Sequence, residues 1–322
     1  MTETVIIPLL TQFDAEEALK WANLLQNALV NQTGTNQFIV LPHDQLSPSE
    51  RNKCQVAICA NPDIHQLAAY PRLVWMQSLW AGVERILPLF KDSPTELVRL
   101  VDPQLSQSMS ESVLLWTLYL HKKMPLYAMQ QANKEWIQHL PTTPRECNVG
   151  ILGAGELGRA SAERLRQNGF SVKLWSRTRK NFSGIATFSA ENGLRRMLPQ
   201  CHILVVLLPL TESTSGLLSE ETLALLPKGA SVINFARGEI MPEAGLLSLL
   251  AKEHINHAVL DVFTTEPLPE SSMLWEHPHV TVLPHVSAQT HPQTSSVIAA
   301  KNIAAYFIHD KMPEVVDKVL GY

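Results

Sequence analysis

The chain has 322 residues, 45% of them hydrophobic and 17% charged, enough to bury a large core and to build two domains. A formal net charge of −4 offers no field for nucleic acid or for an anionic membrane, so neither is expected as a partner. Cys54, Cys59, Cys147 and Cys201 form no CxxC pair and no metal-ligand spacing; with an acid in the opening Met-Thr-Glu-Thr instead of a basic signal-peptide start, they predict free thiols in a reducing cytoplasm.

Short apolar runs at Val5–Ile7, Phe38–Leu41, Val56–Cys59, Leu73–Met76 and Leu97–Leu100 read as strands. Between the first two, Asp14 to Leu29 carries Ala18, Leu19, Ala22, Leu25 and Leu29 at helical spacing. Apolar strands alternating with helices predict a parallel sheet covered on both faces, so residues 1–108 are expected to form an α/β domain. Gly82 follows the fourth run. It fits an ordinary turn, and equally a loop at the carboxyl end of a parallel strand, where such sheets bind ligands.

Ser110 to Trp136 is a long helical pattern that Pro125 should kink or restart. Its stripe of Trp116, Leu120, Met124 and Tyr127 suits a core-facing helix or a dimer face, and the pattern does not separate the two. Strands are then expected at 148–152, 171–175, 203–208, 230–235, 257–261 and 280–283, with amphipathic stretches such as Glu220–Leu226 and Glu243–Leu250 between them. Six strands with intervening helices over 109–291 match a doubly wound sheet. The longest apolar runs, such as Ile203 to Leu208, are far short of a membrane span. Only about 30 residues follow His291, and Ser295–Phe307 reads as a helix. The chain is therefore expected to return to its first domain. That makes 1–108 plus 292–322 one discontinuous domain with 109–291 inserted as the other, and the active site is expected in the cleft between them.

The strand at 148–152 runs into Gly153-Ala154-Gly155-Glu156-Leu157-Gly158, and an amphipathic segment follows. Strand, G-x-G-x-x-G, helix is the dinucleotide fingerprint: Gly153 for the turn, Gly155 for approach of a pyrophosphate, Gly158 for close helix packing. A NAD-specific site places Asp or Glu about 20 residues further on. Here the second strand ends in Ser176-Arg177-Thr178-Arg179-Lys180, with three cations and no carboxylate. Such a cluster is either solvated surface or the seat of a 2′-phosphate. Two charge-assisted hydrogen bonds of roughly 1.5–3 kcal/mol each would favour NADPH over NADH by about 10²–10⁴-fold.

Arg237, Glu266 and His285 each follow a predicted strand in the last third, so parallel pairing would bring them to one edge. Carbonyl reduction needs those types. An acid protonates the developing alkoxide, a carboxylate orients the imidazole, and a guanidinium clamps a carboxylate while polarising the neighbouring carbonyl. His277, His279 and His285 have poor zinc spacing, so no metal is expected. Asp261 fits a helix cap or a position facing the nicotinamide.

In these residues the chain resembles the NADP-type D-2-hydroxyacid dehydrogenases, most of all glyoxylate/hydroxypyruvate reductases. The matching text is Ile151–Gly158, Trp175–Lys180, Leu207–Thr211, Asn234–Gly238, Leu260–Phe263, Glu266–Pro269 and Pro284–Ala288. The resemblance is dense from about 149 to 291 and thinner before it. It implies that His285 is the acid/base, Glu266 its partner and Arg237 the substrate clamp. It also implies that Ala81-Gly82-Val83 binds the substrate carboxylate through backbone N–H groups, and that the protein is a homodimer built partly on the helix from Ser110. Motif and resemblance together give the expected cofactor contacts. They are Gly153, Gly155, Glu156, Leu157 and Gly158 in the glycine loop, Ser176, Arg177, Thr178 and Arg179 after the second strand, and Leu208, Pro209, Phe235, Ala236 and Asp261 at later strand ends.

The chain departs from the family pattern twice. Trp80 stands where many relatives carry glycine, beside the expected carboxylate loop, and Ser112 replaces a more usual aromatic. The implied activity is NADPH-dependent reduction of small 2-oxo acids, glyoxylate and hydroxypyruvate, to D-2-hydroxy acids, with NADH as the weaker cofactor. Trp80 is counted with the substrate-binding loop. The alternatives are a bulkier 2-oxo acid, or a non-catalytic NAD(P)H-sensing protein of the same fold.

Overall fold

A computed structural model describes residues 4–322. The chain divides into two compact units, one from Met1–Gln104 and Thr290–Tyr322, the other from Leu105–Gln289. Among the described residues no helix is long and apolar enough to cross a membrane.

The first unit holds β1 (Val5–Thr11), β2 (Phe38–Pro42), β3 (Val56–Ala60), β4 (Trp75–Ser78) and β5 (Glu96–Val98). They pair in the order β2-β1-β3-β4-β5, all parallel. That is the flavodoxin-like order, with its topological reversal between β1 and β3. All five residues of β3 are buried, as a sheet covered on both faces requires. Helix α1 (Ala15–Thr33) begins where the Asp14 side chain accepts from Glu17 N–H, and ends at Gly34 in the left-handed region. Capping boxes at Ser47/Glu50 and Asp63/Gln66 start the short helices α2 (Pro48–Arg51) and α3 (Ile64–Ala68). The fourth strand starts two residues later than expected, because Leu73 N–H turns back to the Tyr70 carbonyl.

The second unit contains most of α4 (Pro103–His121), which starts seven residues ahead of the expected Ser110, and α5 (Met124–Asn133). Pro125 lies in the first turn of α5 and Lys123 before it is left-handed, so the proline restarts the helix. The expected stripe is divided: Leu120 is buried, Trp116 and Tyr127 half-buried, Met124 exposed. The rest of the unit is β6 (Asn148–Leu152), α6 (Glu156–Gln167), β7 (Ser171–Ser176), β8 (Ala186–Ser189), α7 (Ala190–Met197), β9 (Ile203–Val206), α8 (Glu220–Leu223), β10 (Ala230–Asn234), α9 (Glu243–Ala251), β11 (Ile255–Leu260) and β12 (Val280–Val282). Its sheet is wholly parallel, ordered β12-β11-β10-β9-β6-β7-β8, and reverses direction between β6 and β9. It has seven strands, not the expected six. The extra one, β8, is a four-residue edge strand with no buried residue, so its Ala-Thr-Phe-Ser lacks an apolar signature.

Helix α10 (Pro292–His309) closes the first unit. Ala299, Ala300 and Ile303 are fully buried among Trp21, Leu25 and Phe38, Asn302 Nδ2 donates to Gln77 Oε1 at 2.8 Å, and Val316 N–H donates to the Leu97 carbonyl at 2.7 Å. The inserted topology expected from the sequence is thus the one observed.

Two positions in the second unit generate predictions. A Cβ on Gly158 would lie 1.7 Å from the Gly153 carbonyl oxygen, against backbone that cannot give way. Gly158→Ala should therefore lower the urea midpoint by the equivalent of at least about 1–3 kcal/mol; an unchanged midpoint would refute the close packing. His257, on β11, is 3% exposed, and its Nδ1 has no partner among the described residues. Burial first, then the neighbouring His279 and His277, push its pKa from 6.5 down to about 4. The unfolded chain therefore takes up this proton before the folded one does. Its contribution to stability is complete above about pH 6.5 and is lost as pH falls toward 4, amounting to about 2 kcal/mol between pH 7 and pH 5. His257→Gln should flatten that part of the denaturation-versus-pH profile, and a profile parallel to wild type would count against it.

Candidate active site

The glycine loop is built from backbone approach. Gly153 has φ +111°, and a side chain there would meet the Leu207 carbonyl at 2.5 Å. Gly155 is the N-cap of α6, where no side chain caps the helix, and a Cβ on it would meet nothing within 4 Å. The helix N-terminus, with Glu156 and Leu157 in its first turn, therefore presents N–H groups and a partial positive charge to open space. Lys180 Nζ donates to the Ala154 carbonyl at 3.1 Å, so a cation lies against the same loop.

At the end of β7, Ser176 Oγ donates to the Thr178 carbonyl at 2.7 Å and tightens the turn. Arg177, Thr178 and Arg179 are exposed. At the end of β9, Leu208 is 8% exposed and Pro209 is exposed, its carbonyl accepting from Thr214 Oγ1 at 2.7 Å. These residues border the glycine loop, since Leu207 N–H donates to the Leu152 carbonyl at 2.8 Å.

The ends of β10, β11 and β12 carry the three ionisable residues. Phe235 and Ala236 are buried, and Asn234 shapes the turn after them. Its Oδ1 accepts from Ala236 N–H at 3.1 Å, and its Nδ2 donates to the Arg237 carbonyl at 3.0 Å. Arg237 is half-buried, with Nη1 donating to the Ala236 carbonyl at 2.6 Å. The next residue, Gly238, lies so close to the β11 exit that a Cβ would stand 2.2 Å from the Phe263 carbonyl carbon. That approach sets the Arg237 turn beside the Glu266 turn. Glu266 Oε1 accepts from Phe263 N–H at 3.0 Å, and Oε2 meets His285 Nδ1 at 2.9 Å. The imidazole is 48% exposed and the carboxylate 20%. With Nδ1 engaged by Glu266, Nε2 is the ring nitrogen of His285 available to a substrate.

His285 sits at φ +56°, an uncommon conformation for a non-glycine residue. Asp261, 2% exposed, holds the chain just beyond it: Oδ1 accepts from Val286 N–H at 2.8 Å and Oδ2 from Ser287 N–H at 2.9 Å. Ser112 Oγ on α4 donates to the Ser287 carbonyl. Asp261 thus anchors the His285 loop, and no helix follows it to be capped. Ser112, Asn234 and Gly238 have supporting roles that sequence reasoning did not assign. An Asn closing a strand two residues before a turn was the one local signal.

In the first unit, the loop after β4 is pinned where Trp80 N–H donates to Ser78 Oγ at 3.0 Å and Leu100 N–H donates to the Trp80 carbonyl at 2.9 Å. Among the described residues, the N–H groups of Ala81, Gly82 and Val83 have no acceptor. His277 and His279 face each other at 6.1 Å and bond to neighbouring backbone, and among the described residues no group of three His, Cys, Asp or Glu has metal-holding geometry.

The profile of the D-isomer specific 2-hydroxyacid dehydrogenase NAD-binding domain matches residues 114–287. The glyoxylate/hydroxypyruvate reductase A of Serratia proteamaculans is 35% identical over 291 residues, 88% of this chain and 93% of the relative. Among solved structures, a D-isomer specific 2-hydroxyacid dehydrogenase from Xanthobacter autotrophicus Py2, in complex with NADPH and MES, superposes with TM-score 0.89 at 33% identity. That match covers 98% of this chain and 99% of the other. The NADPH-dependent glyoxylate/hydroxypyruvate reductase of Sinorhizobium meliloti, in complex with NADP and sulfate, gives 0.87 at 30% identity, covering 99% of this chain and all of that one.

Proposed function

This chain belongs to the D-isomer specific 2-hydroxyacid dehydrogenases and is an NAD(P)-dependent oxidoreductase, and from that premise we propose that it reduces glyoxylate and hydroxypyruvate to D-2-hydroxy acids with NADPH. The observation that carries the reading is the 2.9 Å pair of His285 and Glu266, set at the carboxyl edge of the sheet that also bears the glycine loop.

The residues present fit the cofactor. The uncapped start of α6, with open space over Gly155, suits a pyrophosphate. Arg177 and Arg179, on an exposed turn without a carboxylate, suit a 2′-phosphate. The NADPH and NADP bound by the Xanthobacter and Sinorhizobium proteins support the same choice. When bound, NADPH supplies the hydride. His285 Nε2 gives a proton to the carbonyl oxygen as negative charge develops there, and Glu266, fixed by Phe263 N–H, stabilises the imidazolium through Nδ1–H. Arg237 clamps the substrate carboxylate and polarises the adjacent carbonyl. Ala81, Gly82 and Val83, whose N–H groups have no acceptor among the described residues, are the carboxylate-binding loop of this reading. Asp261 and Ser112 work at one remove by holding the His285 loop. The protein acts as a homodimer in this reading, supported by Leu115, Trp136 and Leu140 at 60%, 94% and 86% exposure on and after α4 and α5.

Oxidation of NADPH followed at 340 nm should exceed that of NADH by about 10²–10⁴-fold in kcat/KM with glyoxylate or hydroxypyruvate. Arg177→Ala with Arg179→Ala should erase most of the difference by weakening NADPH alone; equal efficiency of the two cofactors in wild type would sink the preference. His285→Ala should lower kcat by at least roughly 10²-fold while leaving NADPH affinity near wild type. Arg237→Ala should raise KM as well as lower kcat. Unchanged kinetics would remove the residue concerned from the mechanism.

A further inference from the structure

Phe13, Trp21 and Trp80 form an aromatic trio that the proposed chemistry does not use. Phe13 lies on the loop leaving β1, Trp21 on α1, and Trp80 on the loop leaving β4. Trp80 meets Trp21 edge-on at 6.2 Å and 87°, and Phe13 at 6.4 Å and 73°. Phe13 and Trp21 are themselves stacked at 6.3 Å and 20°. In this sheet β1 and β4 flank β3, and the strand order reverses between β1 and β3. The trio therefore joins two loops at the carboxyl edge of the sheet, next to the point where doubly wound sheets take their ligands.

Trp80 cannot readily move. Its N–H and carbonyl are both bonded, to Ser78 Oγ and Leu100 N–H, and Ser78 and Leu100 are fully buried. Behind them Gln77, also fully buried, is tied to the Val98 carbonyl and to Asn302 of α10. The indole Nε1 is buried with no acceptor among the described residues, so ring packing and not a hydrogen bond sets its orientation. The residues directly after it are Ala81, Gly82 and Val83, whose N–H groups have no acceptor among the described residues.

We propose that Trp80, braced by Phe13 and Trp21, is the specificity-determining wall of the 2-oxo acid site, closing the space beyond the substrate carbonyl to groups larger than hydroxymethyl. The inference rests on reading Ala81–Val83 as the carboxylate loop. Successive Cα atoms are 3.8 Å apart, so the Cα atoms of Ala81 to Val83 lie between about 4 and 11 Å from that of Trp80, and an acid held by their N–H groups is a neighbour of this residue. Glyoxylate has only hydrogen on its carbonyl carbon and hydroxypyruvate a single hydroxymethyl; the branched carbon of 2-oxoisovalerate would need the volume that the ring fills, while 2-oxobutyrate, whose ethyl group matches hydroxymethyl in size, separates a polarity preference from a size limit. Phe13 and Trp21 act through Trp80 as positioning residues.

The test is kcat/KM with NADPH for glyoxylate, hydroxypyruvate, 2-oxobutyrate and 2-oxoisovalerate in wild type, Trp80→Ala, Trp80→Phe and Phe13→Ala. Trp80→Ala should raise the ratio of 2-oxoisovalerate to glyoxylate at least about tenfold, since one methylene in an apolar pocket is worth roughly 10–200-fold. The gain should appear as a lower KM for the branched acid. Trp80→Phe and Phe13→Ala should move the ratio the same way by less, and they carry the test if Trp80→Ala does not fold. An unchanged ratio in the variants, or a wild type that already prefers the branched acid, would overturn the wall while leaving the reductase reading intact. A wild type that turns over none of the four acids would overturn both.

Discussion

The candidate site depends on one buried carboxylate. Asp261, at the exit of β11, takes the N–H groups of Val286 and Ser287 on its two oxygens, and these lie just beyond a histidine in the left-handed region. A buried carboxylate is tolerated only when its lone pairs are used, and each such bond is worth roughly 1.5–3 kcal/mol. That is enough to offset an uncommon backbone conformation at His285, which costs of order 1–3 kcal/mol. The consequence is directional: with the loop held, the His285 ring is brought to 2.9 Å from Glu266. Ser112 adds a second hold from α4, on the Ser287 carbonyl.

The same requirement for close backbone approach recurs around the edge of the larger sheet. Gly153 against Leu207, Gly158 against Gly153, and Gly238 against Phe263 each occupy a spot where a Cβ would collide with main chain. Parallel pairing brings the strand ends to one side, and these contacts pull the loops that leave them into register. The sheet thus collects the ionisable groups at one edge, and backbone contacts convert that neighbourhood into a fixed arrangement. In the smaller sheet the corresponding edge is organised by rings, with Phe13, Trp21 and Trp80 filling the space between two loops.

Much of this was legible in the residues themselves. Apolar runs of strand length alternating with amphipathic stretches are enough to call for two parallel sheets, and the return of α10 follows from how few residues remain after His291. Pro125 announces an interruption, although whether it kinks or restarts the helix rests on the left-handed Lys123. Edge strand β8 was invisible because, with no buried residue, it needs no apolar pattern. At the site, the positions of Arg237, Glu266 and His285 after three successive strands pointed to one edge before any contact was known. Asp261 was harder to read, since a carboxylate at a strand end looks alike whether it caps a helix, faces a cofactor or anchors a loop.

The sequence by itself determined what depends on neighbours along the chain: the strand and helix periods, the glycine fingerprint at Gly153–Gly158, the carboxylate-free turn at Ser176–Lys180, and the caps at Asp14 and Ser47. Side chains and backbone within a few residues interact whatever the rest of the molecule does, so their pattern carries the information. Only the tertiary structure decided the pairings between distant segments: Asp261 with Val286 and Ser287, Ser112 with Ser287, Gly238 with Phe263, and Trp80 with Trp21. Each depends on how whole elements pack. A polar or aromatic residue has several partners of equal chemical merit until packing leaves one of them within reach.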